Sequence, residues 1–215
     1  MSVSAGFYFE LQSPLAYLAA ERVLHVLPGP AEWQPVLARE LGGEGEGGGK
    51  PHEGGSTGEH SEAGAAPGAD DDSQAWRAEI AERARKLGLQ PLRWPEPFPF
   101  DSALSMRAAT YAKSIGRVVP FAQAAFRQAF AGGRDLAQID NVLIAAAACE
   151  MHPSAVVRGA ELRSVASQLS DATRAAAQSS VKSVPAIVVD GAVFEGEGAI
   201  ERAAAQMLAR GAALA

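Results

Sequence analysis

The sequence predicts an α/β fold built in two pieces, a β-α-β unit at the start and a β-β-α unit at the end, separated by a block of helices. Three observations predict it. Phe7-Tyr8-Phe9-Glu10-Leu11 is an aromatic, apolar run suited to a strand buried on both faces, and a helical pattern follows it directly. The middle of the chain is alanine-rich, helically patterned and free of any strand pattern. Val184 to Phe194 then holds two short apolar runs joined by Asp190-Gly191.

Taken in order, Ser13 stands where an N-cap belongs, with Pro14 at the first helical position. Leu15, Leu18, Ala19, Val23 and Val26 give that helix an apolar stripe. Ser13 has two readings: a helix cap, or a polar group at a helix start that favours a bound anion. Pro28-Gly29-Pro30 stops the helix, and Glu32 to Ala38 reads as a second strand, with Pro35 placing it at an edge or a bulge. Gly42 to Asp72 is almost devoid of Ile, Leu, Val and aromatics, so it is expected to be flexible.

Asp72 or Ser73 is expected to cap the next helix, with Trp76, Ile80, Ala84 and Leu87 on one face and Gly88 closing it. Gln90 to Phe100 is punctuated by four prolines and reads as an extended connection. Its Trp94, Phe98 and Phe100 suit either an apolar substrate pocket or core packing. Asp101 or Ser102 caps a helix holding Leu104, Ala108, Tyr111, Ala112 and Ile115. Helical patterning continues through about residues 120–131, 136–150 and 153–179, with breaks expected near Pro153 and Gly159. Asp190-Gly191 suits a type I′ hairpin, whose central residues both need positive φ. Ala199 to Arg210 is the last helix, with Ile200, Ala203, Met207 and Leu208 inward. A right-handed crossover through the first helix and an added hairpin complete one small sheet. The expected division is residues 1–41 and 181–215 as one domain, 42–72 as an acidic loop, and 73–180 as a helical insertion.

Charge and composition exclude several classes. Of the net −6, the stretch from Gly42 to Asp72 carries eight carboxylates against Lys50 alone, or −7, leaving +1 for the remainder. The folded part therefore has no electrostatic signature of nucleic-acid binding. No apolar run is long enough to span a membrane, and the N-terminus lacks a secretory-signal pattern, so a cytoplasmic protein is expected. Cys149 is the only cysteine, which rules out an intramolecular disulfide and any Cys-x-x-Cys motif within these 215 residues. It is expected to be a buried apolar residue. His25, His52, His60 and His152 have no spacing that suggests a metal site, so none is predicted.

The strand-helix-strand, helices, hairpin-helix order is that of a thioredoxin-like fold with a large all-helical insertion. Phe7 to Leu18, with its Gln12-Ser13-Pro14 turn, resembles the opening of the 2-hydroxychromene-2-carboxylate isomerases. Those proteins, with the kappa-class glutathione transferases, belong to the DsbA-like thioredoxin superfamily. Arg93 to Pro99 resembles their proline-rich approach to the helical domain. Ser183-Val184-Pro185-Ala186, with Asp190 to Gly196, resembles their cis-proline strand and hairpin.

The resemblance implies a glutathione-dependent isomerase acting on a small aromatic or conjugated keto acid. It implies that Ser13 hydrogen-bonds the sulfur of glutathione or another low-molecular-weight thiol, favouring thiolate. It implies that Val184, before a cis Pro185, pairs its backbone with the thiol's cysteinyl unit. Family members carry an aspartate at a helix start to receive the γ-glutamyl group; here Gly196-Glu197-Gly198 stands there, which leaves Glu197 and Gly198 as the binding candidates. The Asn- and Lys-containing loop that follows strand two in relatives is replaced by the acidic segment. A kappa-class-like transferase and a non-catalytic thioredoxin-fold binding protein are the alternatives. A homodimer is the oligomer the family suggests.

Overall fold

The computed structural model describes residues 5–41 and 69–213. Four strands, β1 (Ala5–Phe9), β2 (Ala31–Pro35), β3 (Ala186–Val189) and β4 (Ala192–Glu195), form one sheet in the order β2-β1-β3-β4. β2 runs parallel to β1, whereas β3 is antiparallel to β1 and β4 to β3. β2 is an edge strand, as Pro35 requires; it ends at that proline, two residues after Trp33, and not at Ala38. Beyond it, Leu37 N–H donates to Thr173 Oγ1 and the chain turns through a 3₁₀ helix at Ala38–Glu40, which draws it off the sheet.

Both faces of the sheet are covered, which is why β1 reads as continuously apolar. On one face Phe7, Phe9 and Trp33 are fully buried, with Phe7 and Trp33 edge-to-face at 4.8 Å and Phe9 5.8 Å from Phe126. Each such ring contributes about 1.5–3 kcal/mol by burial. On the other face Val36, Ala176, Val181 and Ala186 form a second cluster with Tyr8 and Val188 against it.

The helices differ from expectation in their joints. The first helical stretch is two pieces, α1 (Pro14–Ala20) and α2 (Val23–Val26), because Arg22 N–H turns back to Ala19 C=O at 3.0 Å. That short turn lets Arg22 pair with Glu201 while Val23 stays buried. α3 starts at Ala69 and ends at Lys86, so neither Asp72 nor Ser73 is its cap. The flexibility expected over 42–72 lies outside the described residues as far as 68. Ile80 on α3 is buried, but Trp76 and, just past the helix end, Leu87 are exposed.

The remaining helices are α4 (Ala103–Ser114), α5 (Val118–Phe130), α6 (Ile139–Ala147), α7 (Pro153–Glu161), α8 (Arg163–Gln178) and α9 (Ala199–Ala213). The break expected at Gly159 occurs instead at Leu162, whose extended backbone caps both α7 and α8. Gly159 serves close packing: a Cβ there would lie 2.4 Å from Tyr111 Cδ2 on α4. Gly159→Ala should therefore destabilise the fold by about 1–3 kcal/mol, read as a lower denaturation midpoint. An unchanged midpoint would mean that Tyr111 swings aside freely. The β3–β4 turn has φ of 49° at Asp190 and 82° at Gly191, the pattern a type I′ hairpin needs.

Candidate functional site

The strand registers bring four segments to one end of the sheet. β1 and β2 are parallel and both finish there, with Val36 N–H bonded to Phe9 C=O at 3.1 Å. β3 begins there, since Ala186 pairs with Tyr8, and β4 ends there, since Glu195 pairs with Ala186. Glu10–Ser13, Val36–Glu40, Val184–Pro185 and Glu195–Gly198 are thus neighbours in space, although 185 residues separate Ser13 from Gly198. Open α/β sheets present their binding loops at such strand ends.

Ser13 caps α1: its extended backbone starts the helix and its Oγ accepts the N–H of Ala16 at 3.1 Å. That bond uses a lone pair of the hydroxyl and leaves its proton free to be donated. Pro14, lacking an N–H, leaves no orphan donor at the first position. α1 has only seven residues, so its dipole adds little and the hydroxyl is the main polar group on offer.

The loop carrying Ser13 is fastened to the helical part by three successive residues. Glu10 accepts the Ser102 hydroxyl proton at 2.6 Å, Leu11 N–H points at Met106 Sδ at 3.2 Å, and Gln12 Nε2 donates to Phe100 C=O at 2.7 Å. Glu10 is 6% exposed, and its second oxygen accepts Ala38 N–H at 3.2 Å. Burial pushes its carboxyl above the ordinary carboxylate range, while the bonds from Ser102 and Ala38 pull the other way. Ser102 is consequently unavailable as a side-chain cap for α4; Asp101 Oδ1 takes Ala103 N–H instead, at 2.9 Å. Sequence reasoning passed over Glu10. The available signal was a carboxylate set in an otherwise apolar strand end.

Across the sheet end, the Val184–Pro185 peptide bond is cis. Val184 is half-buried against the second apolar cluster. Gly196 and Gly198 have positive φ, 73° and 68°, and they turn the chain from β4 into α9. Glu197 projects outward with its carboxylate 3.8 Å from Arg83 on α3. Arg202 Nη2 donates to Glu195 C=O at 2.7 Å and Nη1 donates to Glu197 C=O. A Cβ on Gly198 would meet Arg202 Nη1 at 3.2 Å.

Other groups stand apart from this end. A cleft of ≈ 510 Å³ lies further along α1, lined by Tyr17, Glu21, Leu89, Gln90 and Arg127 among others, and Ser13 is not part of it. Within it Arg127 grips Glu21 through two 2.7 Å hydrogen bonds. Trp94, Phe98 and Phe130 pack edge-to-face, while Phe100 is buried, so these rings serve the core. Cys149 is buried, with Sγ 3.2 Å from Ala145 C=O, and burial raises its thiol pKa. A raised pKa makes it a poor nucleophile. Among the described residues, no helix is long and apolar enough to cross a membrane.

The chain resembles the structure of a 2-hydroxychromene-2-carboxylate isomerase with a TM-score of 0.76 at 15% identity, over 99% of each chain. It resembles a putative protein disulfide isomerase from Nitrosomonas europaea at TM-score 0.68 and 14% identity, over 98% of this chain and 99% of that one. The cytosolic disulfide reductase DsbM from Pseudomonas aeruginosa, solved with GSH, matches at 0.62 and 11%, over 99% of each chain. At such identities these likenesses establish the fold. No curated protein matches the sequence. Residues 50–207 match the family described as the DSBA-like thioredoxin domain, and the chain belongs to that family.

Proposed function

We propose that this protein is a thiol-dependent isomerase of the 2-hydroxychromene-2-carboxylate type, with glutathione or another low-molecular-weight thiol bound at Ser13 and a conjugated aromatic keto acid as substrate. The observation that carries this reading is the placement of Ser13, whose hydroxyl proton has no acceptor among the described residues, at the same sheet end as Val184-Pro185. A bound thiolate would supply reversible addition to the conjugated ketone: a carbon–sulfur bond forms, the former double bond rotates, and elimination returns the thiol unchanged.

The chain's own residues have defined tasks in this scheme. The Ser13 hydroxyl donates to sulfur and favours its charged form. Val184 offers its peptide group to the thiol's backbone as a short β-pair. Glu197 and Gly198 lie where the amino-acid end of the thiol is received, a carboxylate for an ammonium and an open backbone beside it. Disulfide exchange of the dithiol kind is not available, because Cys149 is the only cysteine and it is buried.

Two other readings share the site. A kappa-class-like transferase would use the same thiolate for conjugation. A non-catalytic binding protein is favoured by one contact, that of Glu197 with Arg83, since a guanidinium beside the carboxylate competes with an incoming ammonium. Calorimetric titration with glutathione, cysteine and coenzyme A, followed by assay of cis–trans isomerisation of a 2-hydroxychromene-2-carboxylate with each thiol, separates these readings. Binding with thiol-dependent isomerisation is expected. Binding without isomerisation would leave the conjugating and the non-catalytic readings, which formation of a thioether product tells apart, and no binding at millimolar thiol would remove both enzymatic ones.

A further inference from the structure

The backbone ahead of Val184 has few sheet partners. Ser180 sits in the left-handed region at φ 67°, Val181 N–H returns to Ala176 C=O at 3.0 Å, and β3 starts only at Ala186. Between them, Lys182 and Ser183 are both exposed. Their N–H groups converge on one atom: Glu195 Oε1 accepts Lys182 N–H at 2.7 Å and Ser183 N–H at 2.8 Å. Two consecutive donors on one charged oxygen make short, strong bonds and fix two successive peptide planes.

The anchor is itself anchored. Glu195 ends β4 in register with Ala186, and its own C=O is held by Arg202 of α9 at 2.7 Å. α9, the end of β4 and the loop before Val184 are thereby joined through one residue, the loop by the Glu195 carboxylate and α9 by its backbone C=O. Both loop bonds stop one residue short of Val184. The Val184 peptide is then restrained from its N-terminal side by Glu195 and from its C-terminal side by Pro185 and the start of β3.

We infer that Glu195 is a positioning residue for the thiol site, holding the Val184 peptide in the orientation a peptide-like thiol must meet. This rests on the function proposed above. Preorganising a backbone contact removes the ordering cost at binding, so its loss appears in affinity more than in global stability. The contribution is geometric: a carboxylate's charge near a thiolate acts against the anion, and only its acceptor oxygen helps.

Glu195→Met and Glu195→Gln separate these effects. Methionine keeps the stem and removes the acceptor; glutamine keeps an acceptor oxygen and removes the charge. With E195M, hydrogen exchange at the Lys182 and Ser183 amides should quicken about tenfold. Glutathione should bind about tenfold more weakly. With E195Q, both should return to within about threefold of wild type. Faster exchange in E195M with unchanged glutathione affinity would overturn the positioning role and leave the proposed function standing. Unchanged exchange would overturn the anchoring itself. Faster exchange in E195M, in a protein whose wild type binds none of glutathione, cysteine and coenzyme A, would overturn the proposed function and the thiol-positioning role with it.

Discussion

Replacing Glu10 by alanine should lower the melting temperature by about 4–8 °C, the equivalent of about 2 kcal/mol for a chain of this size. The side chain is 6% exposed and joins the end of β1 to Ser102 and to Ala38. Without it the Ser102 hydroxyl can turn to another acceptor, but the Ala38 N–H loses its partner, at a cost of about 1–3 kcal/mol. The pH dependence has a definite sign. Burial raises the folded-state pKa of Glu10 above its ordinary value, so the native state binds the proton more tightly than the unfolded chain does. The stability this confers is fully present below the unfolded pKa and is lost as pH rises through the folded one. Glu10→Gln resembles the protonated form and has no such titration. The melting-temperature difference between wild type and E10Q should therefore shift in favour of wild type as pH falls from neutral through the ordinary carboxylate value of 4.5. A difference that stays constant with pH would show that Glu10 titrates normally, and a melting temperature for E10A within about 1 °C of wild type would show that its bonds are not holding the loop.

Ser13→Ala should cost about 0.5–2 kcal/mol of stability, because the Ala16 N–H loses its cap. Under the proposed function the larger effect is on chemistry. A hydrogen bond to a charged group is worth about 1.5–3 kcal/mol, so the pKa of a bound thiol should rise by about 1–2. Thiol-dependent turnover should fall roughly 10²-fold, as when one donor to a developing anion is removed. Thiolate absorbance measured against pH reads the first, and isomerisation rate the second. Ser13→Asp separates capping from catalysis: its carboxylate caps the helix well but repels a thiolate. S13D should keep its melting temperature and lose thiol binding. If S13A leaves the thiol pKa unchanged, Ser13 is a cap alone.

The start of α1 and the β3–β4 turn follow from neighbours in the chain, and these two features were legible in the sequence. Ser13-Pro14 and the Asp190-Gly191 turn depend on bonds and φ values spanning three residues or fewer. Two covered faces likewise follow from the aromatic run of β1, since only a strand buried on both sides tolerates it. Joints between helices were read less well. Gly159 looked like a break but is a contact with Tyr111, a distinction made by the packing of α7 on α4 and by nothing local.

For the candidate site, the sequence by itself determined that a capped serine follows a buried strand and that Val184-Pro185 opens a later one. Registers across the sheet then brought them to one end. Tertiary structure alone decided what holds them. Glu10 reaches Ser102 across 92 positions and Gln12 reaches Phe100 across 88. Glu195, whose partners lie only 12 and 13 positions away, pairs with them because the hairpin returns β4 beside the loop. A carboxylate's partner is whichever donor the fold brings within about 3 Å, and residue type and spacing do not encode that distance.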